Sequence, residues 1–292
     1  LCLALSALTT GEPVTSTAGV AVSDDRGVQV RLEAPASRVI ALYGAFNEIL
    51  ADLGREDVIA ARTAADKLPQ SILDKPSIGT HLRPNAELIL GIGPDLVLQL
   101  GGRAEALESV RFLEERGLTV AVFDLENFDD LFSVIERLGV LTGSEAGARE
   151  RVQAMRADLD AVAAATAGPV PRIFFEVRSP NLLAAGQGSI VSEVISRAGG
   201  RNCVEAPDKL VRLGEEELLR LAPDIYLMQR GPMNPCPEPL DRRPLLRTLG
   251  CLDSGQVFEV DQGMFSRPGP RSVEAVRTLA TIISNWKTED RP

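Results

Sequence analysis

The chain has 292 residues, 45% of them hydrophobic and 25% charged, the balance of a globular protein with room for two ordinary domains. Its formal net charge of −10 excludes the electrostatic attraction that nucleic acid or an anionic membrane surface would need. Aromatic residues make up only 4%, so a ligand pocket here cannot rest on many stacked rings.

In chain order, Leu1 to Leu8 is apolar and is followed by a polar, unpatterned stretch to Thr17. It reads as the end of an export signal, with a cloning remnant or an edge strand as the alternative. No later run reaches the roughly 18 apolar residues of a membrane span. Cys2 lacks the small-residue context of a lipoprotein cleavage site. The leader is expected to occupy residues 1–22.

A first lobe is expected over 23–143. Val28 to Leu32 alternates apolar and polar residues, as a half-exposed strand does, and Arg38 to Tyr43 reads as a buried strand. Phe46 to Leu53 is a short helix, Val58 to Arg62 a strand, and Ser77 to Pro84 a short strand and loop. Arg103 to Arg116 is helical, with Ala106, Val110 and Leu113 on one face and Gly117 as its cap. Thr119 to Phe123 is a strand and Phe128 to Leu141 a helix.

From Ser144 to Ala165 this rhythm stops. The stretch has no proline and carries Val152, Met155, Leu159 and Val162 at helical spacing, so a single helix over 144–167 links the lobes. The second lobe is expected over 168–286 and a tail over 287–292. It comprises strands at Arg172–Val177, Ile225–Met228 and Val257–Val260. Its helices are Ile190–Ala198, Glu215–Leu221, Leu240–Leu249 and Ser272–Trp286. Alternating strands and helices with short connections predict parallel sheets covered on both faces.

One unit occurs in both halves. Glu87…Pro94-Asp95 and Glu216…Pro223-Asp224 lie at a common offset, each an amphipathic turn, Pro-Asp, then an apolar run. Proline disfavours helix for the residue before it and marks the helix end. Two copies so far apart indicate two similar α/β lobes, since a solenoid repeats every 20–50 residues.

These residues carry a family resemblance, together with Ala185-Gly-Gln-Gly-Ser-Ile190, Ala198-Gly-Gly-Arg-Asn202 and Ser266-Arg-Pro-Gly-Pro-Arg271. The chain resembles exported substrate-binding proteins of ABC importers for iron chelates, haem and vitamin B12. The resemblance implies two Rossmann-like lobes, one linking helix, a cleft between the lobes and a monomer that docks on a permease dimer. It also implies a docking glutamate in each lobe, at the positions of Glu87 and Glu216. The plainer reading is that both are first-turn glutamates stabilising a helix dipole.

In open parallel sheets, ligands sit beyond the carboxyl ends of the strands. The residues at those exits are Tyr43, Arg62, His81, Arg83 and Arg103 in the first half, and Arg178, Arg230, Phe265 and Arg267 in the second. Six arginines there predict an anionic ligand, because a guanidinium grips carboxylate or phosphate bidentately. The plainer reading is that several pair with nearby acids such as Asp66 or Glu176. Within the family, an anionic cleft favours a carboxylate-bearing iron chelate or haem over cobalamin. Haem-binding relatives commonly place tyrosine after the glycine matching Gly79, where this chain has Thr80.

The protein is expected to need no cofactor of its own, iron or cobalt arriving with the ligand. Tyr43 and His81 are the weak candidates for direct metal contact, since a lone histidine is ordinarily structural. Export would permit one disulfide, with Cys236–Cys251 preferred and separate buried thiols as the alternative. No G-x-S-x-G elbow or P-loop is present, and with one histidine no obvious triad forms. A two-lobed enzyme working in the cleft is therefore the minor alternative. Gly186-Gln-Gly-Ser189 alone is a weak phosphate signal.

Overall fold

The structure, a computed structural model, describes residues 19–81, 83–166 and 168–286. The export signal and Cys2, over 1–18, and the tail 287–292 lie outside the described residues. An antiparallel hairpin of β1 (Val20–Ser23) and β2 (Gln29–Leu32) opens the fold. Its first strand begins inside the range expected for the leader. Asp24 fixes the turn by accepting the Val28 N–H, and joins the hairpin to the first lobe by accepting the Val122 N–H.

The first sheet has four parallel strands, β3 (Val39–Ala41), β4 (Ile59–Ala61), β5 (Leu96–Leu100) and β6 (Val120–Phe123), in the order β4-β3-β5-β6. Around it lie α1 (Gly44–Asp52), α2 (Ala86–Ile92), α3 (Ala104–Glu114) and α4 (Phe128–Thr142). Among the described residues of 77–84 the strand pairing is limited to isolated bridges, Arg62 to Ser77 and Gly79 to Pro84.

The link is α5 (Glu145–Ala165), whose 21 residues run about 32 Å at 1.5 Å each. Ala148, Val152, Met155 and Leu159 form its buried stripe, at spacings of four and three that keep one face inward.

Beyond it come β7 (Arg172–Arg178), β8 (Leu183–Ala185), α6 (Ile190–Arg197), β9 (Arg201–Asn202), β10 (Leu210–Arg212), α7 (Glu215–Leu221) and β11 (Ile225–Arg230). The chain closes with α8 (Gly250–Asp253), β12 (Val257–Asp261), α9 (Gln262–Phe265) and α10 (Ser272–Asn285). This second sheet is mixed. Strands β9, β7, β11 and β12 are parallel, but β8 and β10 add an antiparallel edge, a correction to the expectation of parallel sheets.

That edge explains Gly186 and Gly188. A Cβ on Gly186 would lie 2.1 Å from Asp208 O, and one on Gly188 2.6 Å from Pro207 O, so these glycines permit close backbone packing. Leu240 to Leu249 is not one helix but two 3₁₀ turns, Leu240–Arg242 and Leu246–Thr248. Pro244 forces the break by holding Arg243 in an extended conformation, φ −95° and ψ 108°.

The repeated Pro-Asp has one structural job in both lobes. Asp95 accepts the Arg38 N–H at 3.0 Å and Asp224 accepts the Arg172 N–H at 2.7 Å, pinning in each case the start of the neighbouring strand. The helix before each Pro-Asp ends on a left-handed residue, Gly93 (φ 63°) and Ala222 (φ 41°).

Side chains alternate across both sheets, which sorts the core into three. Val39, Ala41, Leu96, Leu98, Ala121 and Phe123 face a core shared with Ile173, Phe175, Val177, Ile225 and Leu227 of the second lobe. Ile40, Leu42, Val97 and Val122 face a cluster belonging to the first lobe alone. Phe174, Tyr226 and Met228 face one belonging to the second. Strands buried on both faces must be apolar at nearly every position, which is why they read as continuous runs.

Candidate ligand-binding cleft

The exits of β3 and β12 meet at the boundary between lobes. Tyr43 follows β3 and starts α1; its ring lies 6.2 Å from that of His81 and 5.8 Å from the Arg267 guanidinium of the second lobe. Burial pushes the Tyr43 hydroxyl up, while Arg267 pulls it the other way. His81 sits on the tight turn closed by the Gly79–Pro84 bridge, and buried Gln99 donates to its carbonyl at 3.2 Å. Burial lowers the imidazole pKa, and the nearby Arg103 and Arg267 charges lower it further against the opposing charge of Asp66.

Below them, Asp66 is 1% exposed and accepts from Thr63 N at 2.8 Å and Asn47 Nδ2 at 3.1 Å. Burial raises its carboxyl pKa. A Cβ on Gly44 would lie 2.3 Å from Asp66 Oδ1 and 3.0 Å from Arg267 Nη1, so only glycine lets α1 begin here. Glu48, one turn on, is held by Arg267 at 3.2 Å and Arg271 at 2.8 Å, both from the other lobe. A second interlobe bond runs from the Phe128 N–H to Glu193 at 2.8 Å.

The six arginines divide by what they touch. Arg62 donates to the carbonyls of Leu73 and Thr63 and so fastens its own loop. Arg230 is neutralised by Glu259 and also donates to Pro235 O. Arg267 shares Glu48. Arg83, Arg103 and Arg178 make no ion pair among the described residues, Arg83 and Arg103 being exposed and Arg178 half-buried. Phe265 is not at the cleft surface: it is 1% exposed and stacked on Phe175, centroids 6.1 Å apart, in the shared core.

Glu176, read as a neighbour for a strand-exit arginine, is instead paired with Arg243 in the interior, where it also accepts the Tyr226 hydroxyl at 2.6 Å. Cys236 and Cys251 are not paired. With Cys203 they are free thiols, Cys236 exposed and Cys251 buried in the second lobe's own cluster. Burial pushes the Cys203 thiol up to about 11 and Cys251 up to about 12, leaving both protonated and inert.

Sequence reasoning missed Glu48, named Asp66 only as a pairing acid for the arginines, and quoted Arg271 only within the family motif. The available signal for Glu48 was a carboxylate beside Asn47 among the apolar Ala45, Phe46, Ile49 and Leu50, a position that demands a partner.

A family model described as periplasmic binding protein matches residues 39–264. The chain belongs to the periplasmic binding protein family. The binding protein is similar, at 23% identity over 90% of its length and 85% of the relative's, to the uncharacterised ABC transporter substrate-binding lipoprotein YvrC of Bacillus subtilis. It is 24% identical to the vitamin B12-binding protein of Vibrio cholerae, over 85% of this chain and 90% of that one. Among solved structures, the periplasmic haem-binding protein HutB of Vibrio cholerae superposes with a TM-score of 0.73 at 20% identity, over 84% of this chain and 98% of that chain. The two-lobed fold with one linking helix agrees with the resemblance drawn from sequence, and the protein is a binding component of transport rather than an enzyme. Among the described residues no helix is long and apolar enough to cross a membrane.

Proposed function

We propose that this protein is the extracytoplasmic binding component of an ABC importer and captures an anionic ferric chelate in the interlobe cleft. The observation that carries this reading is the set of unpaired cations at the strand exits. In a chain of net charge −10, Arg83, Arg103 and Arg178 stand without a carboxylate among the described residues. A desolvated guanidinium bonded to an anion is worth about 1.5–3 kcal/mol per charge-assisted bond, enough to select a ligand by charge. His81 and the Tyr43 hydroxyl lie in the field of Arg103 and would supply polar contacts to the same ligand.

Haem or cobalamin is the second reading. The names of the vitamin B12- and haem-binding relatives favour it, and haem propionates would suit the same arginines.

Calorimetric titration with ferric citrate, a neutral ferric trihydroxamate, haem and cyanocobalamin tests the choice. Ferric citrate is expected to bind most tightly, and Arg103→Ala to weaken it by about tenfold. Tighter binding of the neutral trihydroxamate, or of cobalamin, would sink the anionic reading. Delivery to a permease is assigned to the exposed Glu87 and Glu216, which make no ion pair among the described residues.

A further inference from the structure

Two arginines, Arg267 and Arg271, converge on Glu48 of the other lobe, and the two are not equivalent. Glu48 is nearly buried, with its side chain 8% exposed. Arg271 donates Nε to Glu48 Oε2 at 2.8 Å and, with Nη1, reaches Asp261 Oδ1 at 3.2 Å. Asp261 in turn accepts the Met264 N–H at 2.8 Å as the cap of α9. Arg271 is therefore clamped at both ends, with a carboxylate from each lobe. Arg267 has one ion pair, Nη1 to Glu48 Oε1 at 3.2 Å, and its other partner is Tyr43, whose ring centroid lies 5.8 Å from the guanidinium and whose hydroxyl it bonds. A quarter of its side chain is exposed.

We infer that Arg267 is the movable anion reader of the cleft, with Glu48 as its placeholder, and that Arg271 is the fixed strut that keeps Glu48 neutralised when Arg267 turns to a ligand. The physical case is a count of charges. A buried carboxylate cannot be left without a cation, so an arginine that is its only partner is not free to move. With Arg271 in place, departure of Arg267 leaves Glu48 paired. Asp66, the other carboxylate beside Arg267, keeps its bonds from Thr63 N and Asn47 Nδ2. A ligand anion between Tyr43, His81 and Arg103 would offer Arg267 a charge-assisted bond better than the 3.2 Å one it gives up. The lobes stay joined throughout, because the strut and the shared core do not change. This role rests on the reading of the ligand as anionic.

The test separates the two arginines by stability and by affinity. Arg267→Gln, Arg271→Gln and Arg271→Lys are compared with the wild type by thermal unfolding without ligand and by titration with ferric citrate. Arg267→Gln is expected to melt within about 2 °C of the wild type and to bind ferric citrate about tenfold or more weakly. Arg271→Gln is expected to melt about 5 °C or more lower, with Arg271→Lys recovering part of the loss and binding within about threefold of the wild type. Equal melting losses for Arg267→Gln and Arg271→Gln would overturn the inference, as would unchanged ferric citrate affinity in Arg267→Gln. Should the wild type bind no chelate at all, the anionic-ligand reading fails on its own, and the melting contrast still decides whether one arginine is strut and the other loose.

Discussion

His81 shows how a single side chain reports on the charge of the whole cleft. Burial and the neighbouring Arg103 and Arg267 charges hold its pKa below the ordinary imidazole value of about 6.5. The unfolded chain thus binds the proton more readily than the folded one. Stability from this residue is complete above the ordinary imidazole pKa and drains away as pH falls through the lower, folded value. The melting temperature of the wild type should fall more steeply between pH 7 and pH 5 than that of His81→Gln. Parallel profiles would mean that the ring is not in the field of the two arginines. Asp66 acts in the opposite sense, since burial raises its pKa and its contribution weakens as pH rises through the carboxylate range. Because Asp66 faces His81 and opposes the two arginines, the difference between profiles reports the imidazole together with its coupling to that carboxylate.

Among the elements, α2 and α7 are the pair to compare, because they are the same unit in two lobes. Each is seven residues long and ends on a left-handed residue, but only α2 has glycine there. Ala222 at φ 41° carries a Cβ into a conformation that disfavours it. Ala222→Gly should therefore stabilise the protein by about 0.5–1 kcal/mol in urea unfolding, the strain relieved exceeding the entropy of the added glycine. A loss of stability would show that the Ala222 strain is absent. The same helices present Glu87 and Glu216, exposed in the first turn of each. Charged pairs at a rim set register and association rate more than affinity. The double variant Glu87→Ala, Glu216→Ala should keep the ligand affinity of the wild type and lose most ligand uptake in cells. Normal uptake would return both residues to the role of helix-dipole partners.

At the scale of the molecule, the shared core decides how the lobes behave. Val39 and Leu96 of one sheet and Ile173 and Ile225 of the other lie in one apolar cluster with Val152, Met155 and Leu159 of α5. Two lobes joined by a bare linker would unfold separately, whereas lobes that bury a common core lose stability together. Scanning calorimetry should show one transition, with calorimetric and van't Hoff enthalpies equal. Two resolved peaks would contradict a common core. The same packing opposes a wide swing of the lobes, which accords with the proposal that side chains such as Arg267 select the ligand.

Much of this was legible in the sequence because it is local. Strand and helix periods, Gly117 after a helix and the twice-used Pro-Asp are read from residues close together in the chain, and they led to two α/β lobes with a linking helix. The misses within the fold have local causes of another kind: Pro244 cuts an apolar helical pattern, and the three-residue strands β8 and β10 are too short to show alternation. The site was legible only as a set of strand exits. Which arginines are spent depended on acids brought from afar. Glu259 reaches Arg230 across 29 positions, and Glu48 reaches Arg267 and Arg271 across more than 200. Hydrophobic burial follows a period along the chain, so sequence alone determined the layers. Pairing of charges follows distance in space, so only the tertiary structure decided which cations are paired.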